Sequence, residues 1–433
     1  MAVLYHIARQ CGIFIAKVVF MGHFLTLQSV DAIFAHMEAF APLAKETLPL
    51  ESCYGRVLAE PFPAPDDLPG FDRSTVDGFA VRARDVFGAS EGMPALVDCV
   101  GECPMGEASG IAIGPGQTAR IPTGGMLPDG ADAVVMLEYS RDAGGDKIEL
   151  TRSVAPLENI VRKGEDAEKG EELLPAGRLL RPQELGLFAA FGQSLVTVRR
   201  RPRVAVISSG DEVVSISETP EPGQIRDINS YTLAAFARAA GAEARAFGIV
   251  KDALQELETV VKNVLEWADV VLLSGGSSAG QRDYTVKAFT SLPGTELLAH
   301  GVAVSPGKPL ILARKGEQSL WGLPGHAASA LVCAEVFIRP LLRHLSGQSA
   351  LAHFSATRRA VLTRPVASAQ GRRDYVRVRL EEPASPDDLP TATPVMGKSG
   401  LITTLVMADG LAVCPEDREG LAAGQAVDVH LLL

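Results

Sequence analysis

The sequence predicts a multidomain α/β protein: a doubly wound parallel sheet, a β-rich module before it, and a small β-barrel or sandwich after it. Three observations carry that prediction. Strand-like and helix-like runs alternate through residues 202–346, the pattern of strands joined by crossover helices. Residues 61–150 are rich in Gly and Pro, hold only short apolar runs and show no long helical period. Residues 355–433 alternate apolar and polar positions without a helical stretch.

Residues 1–20 read as an extension ahead of Met21. The apolar run from Ile13 to Met21, interrupted by Lys17, falls far short of the roughly 20 residues that span a bilayer. Gly22-His23-Phe24-Leu25 lacks the small-x-small pattern of a signal-peptide cleavage site. A short membrane-surface anchor is the alternative reading.

From Ser29, Val30, Ile33, Phe34 and Met37 recur at helical spacing with Asp31 in the first turn. The β-rich module follows, with short strands at 119–121, 133–136 and 147–150 and a Gly144-Gly145-Asp146 turn. Residues 155–200 form a connecting stretch punctuated by Gly164, Gly170 and Gly177, with a short helix at Pro182–Gly192. In the α/β region the strands are Val204–Ile207, Asp269–Leu273, Pro309–Ala313 and Ser319–Leu323. The helices there are Asn229–Ala240, Ala253–Trp267 and one from about His326 to Leu345. Tyr375–Leu380 and Ala426–Leu431 are strands of the tail.

Composition bounds the function. The chain has 433 residues, 47% of them hydrophobic and 21% charged, which excludes a disordered tail and supplies material for packed cores. Its formal charge of −11 lacks the footprint of a general nucleic-acid or anionic-membrane binder. Small anions can still be held where helix N-termini, local Lys or Arg, or a divalent cation supply positive charge. The six cysteines are scattered, only Cys99 and Cys103 are close, and the pattern reads as reduced thiols of a cytosolic protein.

Ligands of an open α/β sheet sit beyond the carboxyl ends of its strands. Ile207 is followed there by Ser208-Ser209-Gly210-Asp211-Glu212, and Leu273 by Ser274-Gly275-Gly276-Ser277-Ser278-Ala279-Gly280 with Asp283 beyond. Small residues admit a phosphate to the backbone, and each loop carries an acidic residue. A carboxylate would repel the phosphate unless a shared Mg²⁺ bridges them, so the pair reads as a phosphate-plus-metal site. Ser305-Pro306-Gly307-Lys308-Pro309 fixes one ammonium on a rigid turn, or is a plain turn with a solvated Lys. Leu323-Pro324-Gly325-His326 opens a helix whose N-terminus is a further anion site; His326 is a ligand, a catalytic group or a packing residue. In the β-rich module, 71–81 gathers Asp72, Ser74, Thr75, Asp77 and Gly78, and 121–126 looks like a second anion cradle.

These segments, in this order, resemble the molybdopterin molybdenumtransferase family, which includes bacterial MoeA and the E-domain of gephyrin. The matching pieces are FDRSTVDGFAV (71–81), IPTGGMLPDGADAVVMLE (121–138), RKGED (162–166), PRVAVISSGDE (202–212) and GQIRDIN (223–229). They continue with ADVVLLSGG (268–276), PGKP (306–309), LPG (323–325) and GRRDYVR (371–377), so the likeness runs from about residue 24 to the C-terminus.

The resemblance implies an N-terminal extension (1–23), a discontinuous elongated linker domain (24–60 and 155–200) and a β-rich domain (61–154). An α/β molybdopterin-binding domain (201–346) and a C-terminal β-barrel (347–433) complete it. It further implies a cytoplasmic, Mg²⁺-dependent homodimer that inserts molybdenum from molybdate into adenylylated molybdopterin and releases AMP. The molybdopterin adenylyltransferase is its implied partner, with neither nucleic acid nor membrane involved. A non-catalytic molybdopterin-binding scaffold of the same fold is the alternative.

Carried over by position, Asp77, Thr123 and Asp166 line a cross-subunit cleft and, with Asp211 and Asp283, form the catalytic set. Asp211, Asp227 and Asp283 are the metal candidates. Ser209, Gly210, Asp227, Asn229, Ser274, Gly275, Gly276, Pro306, Gly307, Lys308, Pro324 and Gly325 bind the pterin substrate. Lys308, Arg377 and Ser399 hold molybdate. Three departures stand out: His326 and Ala327 where many members read Asn-Pro, an altered loop after Gly276, and Ser305 where a Lys often precedes PGKP. The last removes a candidate oxyanion donor and leaves molybdate or tungstate open as the metal.

Overall fold

The computed structural model describes residues 27–275, 279–348 and 356–432. The extension at 1–20 and Gly276 lie outside the described residues, as does the side chain of Asp283. Two compact units divide the chain: one holds the residues up to Ala59, Ala176–Arg181 and Val196–Leu433; the other holds Glu60–Pro175 and Pro182–Leu195.

In the first unit, α1 (Val30–Glu38) is capped by Ser29, whose hydroxyl oxygen accepts from the Ala32 N–H at 3.1 Å, and buries Val30, Ile33, Phe34 and Met37. The α/β sheet comprises β1 (Arg203–Ser209), β2 (Glu243–Val250), β3 (Val270–Ser274), β4 (Thr295–His300), β5 (Ile311–Lys315) and β6 (Gln318–Leu323). Its order is β2-β1-β3-β6-β5-β4. Side chains alternate across it: Val204, Val206, Val270 and Leu272 join the core beneath α1, α2 (Asn229–Ala239) and the last helices. Ala205, Ile207, Val271 and Leu273 join that beneath α3 (Leu254–Val264) and α4 (Ala279–Thr290). A strand buried on both faces needs apolar residues at consecutive positions, which is why these runs are unbroken in the sequence.

The sheet is mixed rather than wholly parallel. β1, β2, β3 and β6 are parallel, whereas β5 pairs antiparallel with both β6 and β4. The reason is local: only Gly316 and Glu317 separate β5 from β6, room for a hairpin but not for a crossover. The last helix is also broken, into α5 (Ala327–Cys333), a π turn (Ala334–Ile338) and α6 (Arg339–Leu345). Pro340 cannot donate to the carbonyl four residues back, and the wider π turn accommodates that lost bond.

The tail closes as a barrel. Its strands β7 (Thr357–Leu362), β8 (Arg373–Glu381), β9 (Thr391–Pro394), β10 (Gly410–Cys414) and β11 (Ala426–Leu431) run in the order β8-β9-β7-β11-β10, and β10 returns to β8. Ala360, Leu362, Val378, Ala392, Ala412 and Val429 fill it. One junction positions the site: the two-residue strand Val304–Ser305 leaves the α/β sheet and pairs in parallel with Arg373 and Asp374 of β8.

The second unit is built on a six-stranded sheet in the order 133–136, 78–81, 117–121, 95–102, 147–150, 140–144. Gly144 and Gly145, at φ 91° and 67°, make its tightest hairpin. Helix Pro182–Ala190 sets Phe188 against Phe62 at 4.5 Å between ring centroids. Among the described residues no helix is long and apolar enough to cross a membrane.

Candidate functional site

The order β2-β1-β3 reverses direction between β1 and β3, so a crevice opens beyond the carboxyl ends of those two strands. The register places Ser208 opposite Ser274, bringing the two loops singled out in the sequence side by side. A Cβ on Gly275, which sits at φ +153°, would come within 3.0 Å of both the Ser209 hydroxyl and the Ser209 carbonyl. Glycine at 275 is what lets the loops approach this closely.

A buried polar network organises the crevice. The Asp227 Oδ1 accepts from the Ser208 hydroxyl at 2.8 Å and from the Ser230 N–H at 3.0 Å. The Asn229 amide donates to the Ser274 Oγ at 2.6 Å and to the Gly325 carbonyl at 2.8 Å. Asn229 Oδ1 is buried and accepts nothing among the described residues. A buried acceptor without a donor is costly. Asp211 is exposed beside this network and accepts from the Asp252 N–H at 3.3 Å. Burial, reinforced by the charges of Asp211 and Glu212, pushes the Asp252 carboxyl up. Among the described residues no three His, Cys, Asp or Glu side chains converge on a metal position.

Adjoining this crevice, a cavity of about 790 Å³ lies between the α/β sheet and the barrel. It is lined by Gly275, Pro306, Gly307, Lys308, Pro324, Gly325, Arg377 and Ser399, so eight of the sequence candidates share one space. Gly307, at φ +122°, passes over buried Cys333 so closely that a Cβ would come within 3.0 Å of its sulfur. Four further titratable side chains line the cavity: His326, Arg372, Asp374 and Tyr375. Asp374 is claimed by Arg372, with Nε to Oδ1 at 2.8 Å and Nη2 to Oδ2 at 3.1 Å. Burial pushes the Tyr375 phenol up to about 12, so it carries no charge at neutral pH.

Arg377 is placed differently from Arg372. It donates to the Thr404 hydroxyl and, at 2.7 Å, to the Gly397 carbonyl; burial pulls its guanidinium below the ordinary value. Neither Arg377 nor Lys308 has a carboxylate partner among the described residues. Lys308 is exposed, whereas Arg377 is half-buried and bonded only to neutral groups, which makes it the open site for an anion.

Asp77, Thr123 and Asp166 belong to the second unit and are all exposed there. The Thr123 N–H and hydroxyl donate to Asp77 Oδ1 at 2.7 and 3.1 Å, holding that carboxyl below the usual range, the backbone bond contributing most. Because the folded value is lowered, the favourable contribution is present above the ordinary aspartate pKa and is lost as pH falls through the folded one. Thr123→Val keeps the N–H but loses the hydroxyl, so Asp77 should titrate at higher pH than in wild type. A carboxyl ¹³C titration checks this; an unchanged midpoint contradicts it. Asp166 is held through its own N–H, which donates to the Leu68 carbonyl at 3.0 Å.

The cavity wall also holds residues that sequence motifs do not single out: Arg372, Asp374, Ser329 and Thr285. Arg372 and Asp374 lie inside the GRRDYVR segment, so the segment is visible in the sequence, but nothing local shows which arginine is neutralised. The first-turn N–H of Ala328, expected to be open for an anion, donates instead to the Ser399 carbonyl at 3.2 Å.

Comparison with known proteins identifies the family. Residues 28–192 match the model of the MoeA N-terminal region (domain I and II), 205–344 a probable molybdopterin binding domain, and 359–432 the MoeA C-terminal region (domain IV). A molybdopterin molybdenumtransferase of Bacillus subtilis is 33% identical over 392 residues, 89% of this chain and 90% of that protein. Molybdopterin molybdenumtransferase 2 of Mycobacterium tuberculosis is 36% identical over 399 residues, 91% of this chain and 96% of that protein. The crystal structure of the molybdopterin biosynthesis moeA protein from Pyrococcus horikoshii aligns with a TM-score of 0.80 at 28% identity, covering 94% of this chain and 100% of that one. With all three regions matched in order and a shared fold over nearly its whole length, the chain belongs to the MoeA family.

Proposed function

We propose that the chain is a molybdopterin molybdenumtransferase, which takes adenylylated molybdopterin and molybdate, inserts molybdenum at the dithiolene and releases AMP. The observation that carries this reading is the pair of cations without carboxylate partners, Lys308 and Arg377, in a cavity that runs up to Gly275 at the switch point. Relatives named for this activity, 33% and 36% identical over most of the chain, support it.

In this reading Lys308, Arg377 and the Ser399 hydroxyl hold the oxyanion by charge and hydrogen bonds. Ser209, Gly210, Ser274 and Gly275, with Pro306, Gly307, Pro324 and Gly325, form the walls that receive the pterin and its phosphates. Asn229 braces those walls, its amide donating to Ser274 and to the Gly325 carbonyl. Cys333 attacks nothing: burial pushes its thiol up to about 12, so it stays protonated at neutral pH. The chain's part is therefore to bind, align and stabilise charge.

Asp211 and Asp227 offer hard oxygen donors, and among the described residues no closed cage forms around them, which fits Mg²⁺ shared with substrate phosphates. Asp211, Asp227 and Asp283 would hold it, and when bound it neutralises phosphate charge as the link to AMP breaks. We further propose a cytoplasmic homodimer in which Asp77, Thr123 and Asp166 act for the partner copy, with the adenylyltransferase as the supplier of substrate.

Purified protein given adenylyl-molybdopterin, molybdate and Mg²⁺ should release AMP in proportion to enzyme. Folded protein that releases none above background would overturn the assignment.

A further inference from the structure

The side chain of His326 is absorbed by none of the roles above, yet it lines the cavity and its Nδ1 lies 2.9 Å from the Ser399 Oγ. A hydroxyl has one proton, so the direction of this bond decides what Ser399 offers an anion. If Ser399 spends its proton on His326, it turns lone pairs toward the cavity and repels an oxyanion. If His326 Nδ1 carries the hydrogen and donates, the Ser399 proton is released for the ligand.

We infer that His326 is a positioning residue that holds Ser399 as a donor and thereby sets oxyanion affinity; this rests on the reading of the cavity as the molybdate site. Two further bonds seat the same loop. The Ser399 carbonyl accepts from the Ala328 N–H at 3.2 Å, and the Gly397 carbonyl accepts from Arg377 at 2.7 Å. Ser399 is thus tied on one side to the start of α5 and, two residues earlier, to the guanidinium that faces the anion. The ring also packs beside Gly400, where an added Cβ would lie 3.7 Å from its Cδ2. Backbone bonds place the Ser399 main chain, and His326 controls the hydroxyl. An oxyanion in the cavity favours the donating form of His326, because only that form lets Lys308, Arg377 and Ser399 all present protons to the same ligand.

The test uses the full chain and molybdate alone, titrated by calorimetry, with molybdate KM and kcat for AMP release as a second readout. His326→Ala and Ser399→Ala should each weaken molybdate binding by about tenfold, with KM rising more than kcat falls. The double variant should bind no worse than Ser399→Ala alone, because His326 acts through that hydroxyl. His326→Asn, whose amide can donate to Ser399, should recover most of the affinity. Unchanged affinity in folded His326→Ala, or losses that add in the double variant, would overturn the inference. If His326→Ala does not fold, an unaffected Ser399→Ala overturns it equally. Wild type that fails to bind molybdate removes the cavity reading itself. Wild type that binds it but releases no AMP removes only the transferase assignment.

Discussion

Arg377→Ala is expected to raise the molybdate KM by about 10- to 100-fold, the worth of one charge-assisted contact to an oxyanion. This arginine differs from Arg372 on the same wall. Arg372 already shares two contacts with Asp374, whereas Arg377 donates only to a hydroxyl and a backbone carbonyl. Its charge is therefore available, and partial burial makes an anion there worth more than one in open water. The double variant Arg372→Ala/Asp374→Ala, measured beside it, should change KM far less, because removing both members of a compensated pair leaves the net charge of the wall unchanged. Arg377→Lys should not restore wild-type KM: the ammonium keeps the charge but cannot span Thr404, Gly397 and the ligand with one planar fork. Steady-state kinetics with varied molybdate at saturating pterin substrate would show this, and an unchanged KM in Arg377→Ala would remove Arg377 from the site.

Gly275→Ala should be the most damaging of the conservative substitutions at the crevice, costing about 3 kcal/mol of stability through overpacking and backbone strain. The new methyl would strike the Ser209 carbonyl as well as its hydroxyl, and the backbone at φ +153° is one that L side chains rarely adopt. Adding Ser209→Ala removes the hydroxyl contact but leaves the carbonyl, so rescue should be incomplete. Where the protein still folds, separation of the β1 and β3 loops should weaken pterin binding as well. Gly186→Ala is the contrasting case: it lies inside a helix with nothing within 4 Å of the added carbon and should stabilise by about 0.5–1 kcal/mol. Thermal unfolding of the two variants should therefore move in opposite directions. A Gly275→Ala protein as stable as wild type would mean the two loops can part without cost.

Much of the fold is legible in the amino-acid sequence, and particular residues show why. The apolar runs 204–207 and 270–273 announce strands buried on both faces, because the side-chain period along a strand is two and both faces must be apolar. Ser29 ahead of Val30, Ile33, Phe34 and Met37 announces a capped amphipathic helix. Gly144-Gly145 announces a hairpin because few other residues accept positive φ at two successive positions. Each signal is local: a period, a cap or a turn is written in adjacent residues. The antiparallel β5–β6 hairpin is written there too, in the short Gly316-Glu317 link, although strand–helix alternation alone points to a parallel sheet.

The order of motifs likewise identifies the family, and the strand-end loops identify where a ligand would go. Tertiary packing, by contrast, selects which charges are free and which hydroxyls are claimed. Arg372 and Arg377 are five residues apart in sequence, yet one is neutralised by Asp374 and the other is not. His326 and Ser399 are 73 residues apart, and their contact exists because the barrel loop seats on the start of α5. Composition and periodicity describe a residue's surroundings along the chain. Electrostatic and hydrogen-bond partners are chosen by distance in space, over a few ångströms, after strand registers such as Ser305 opposite Asp374 have been set.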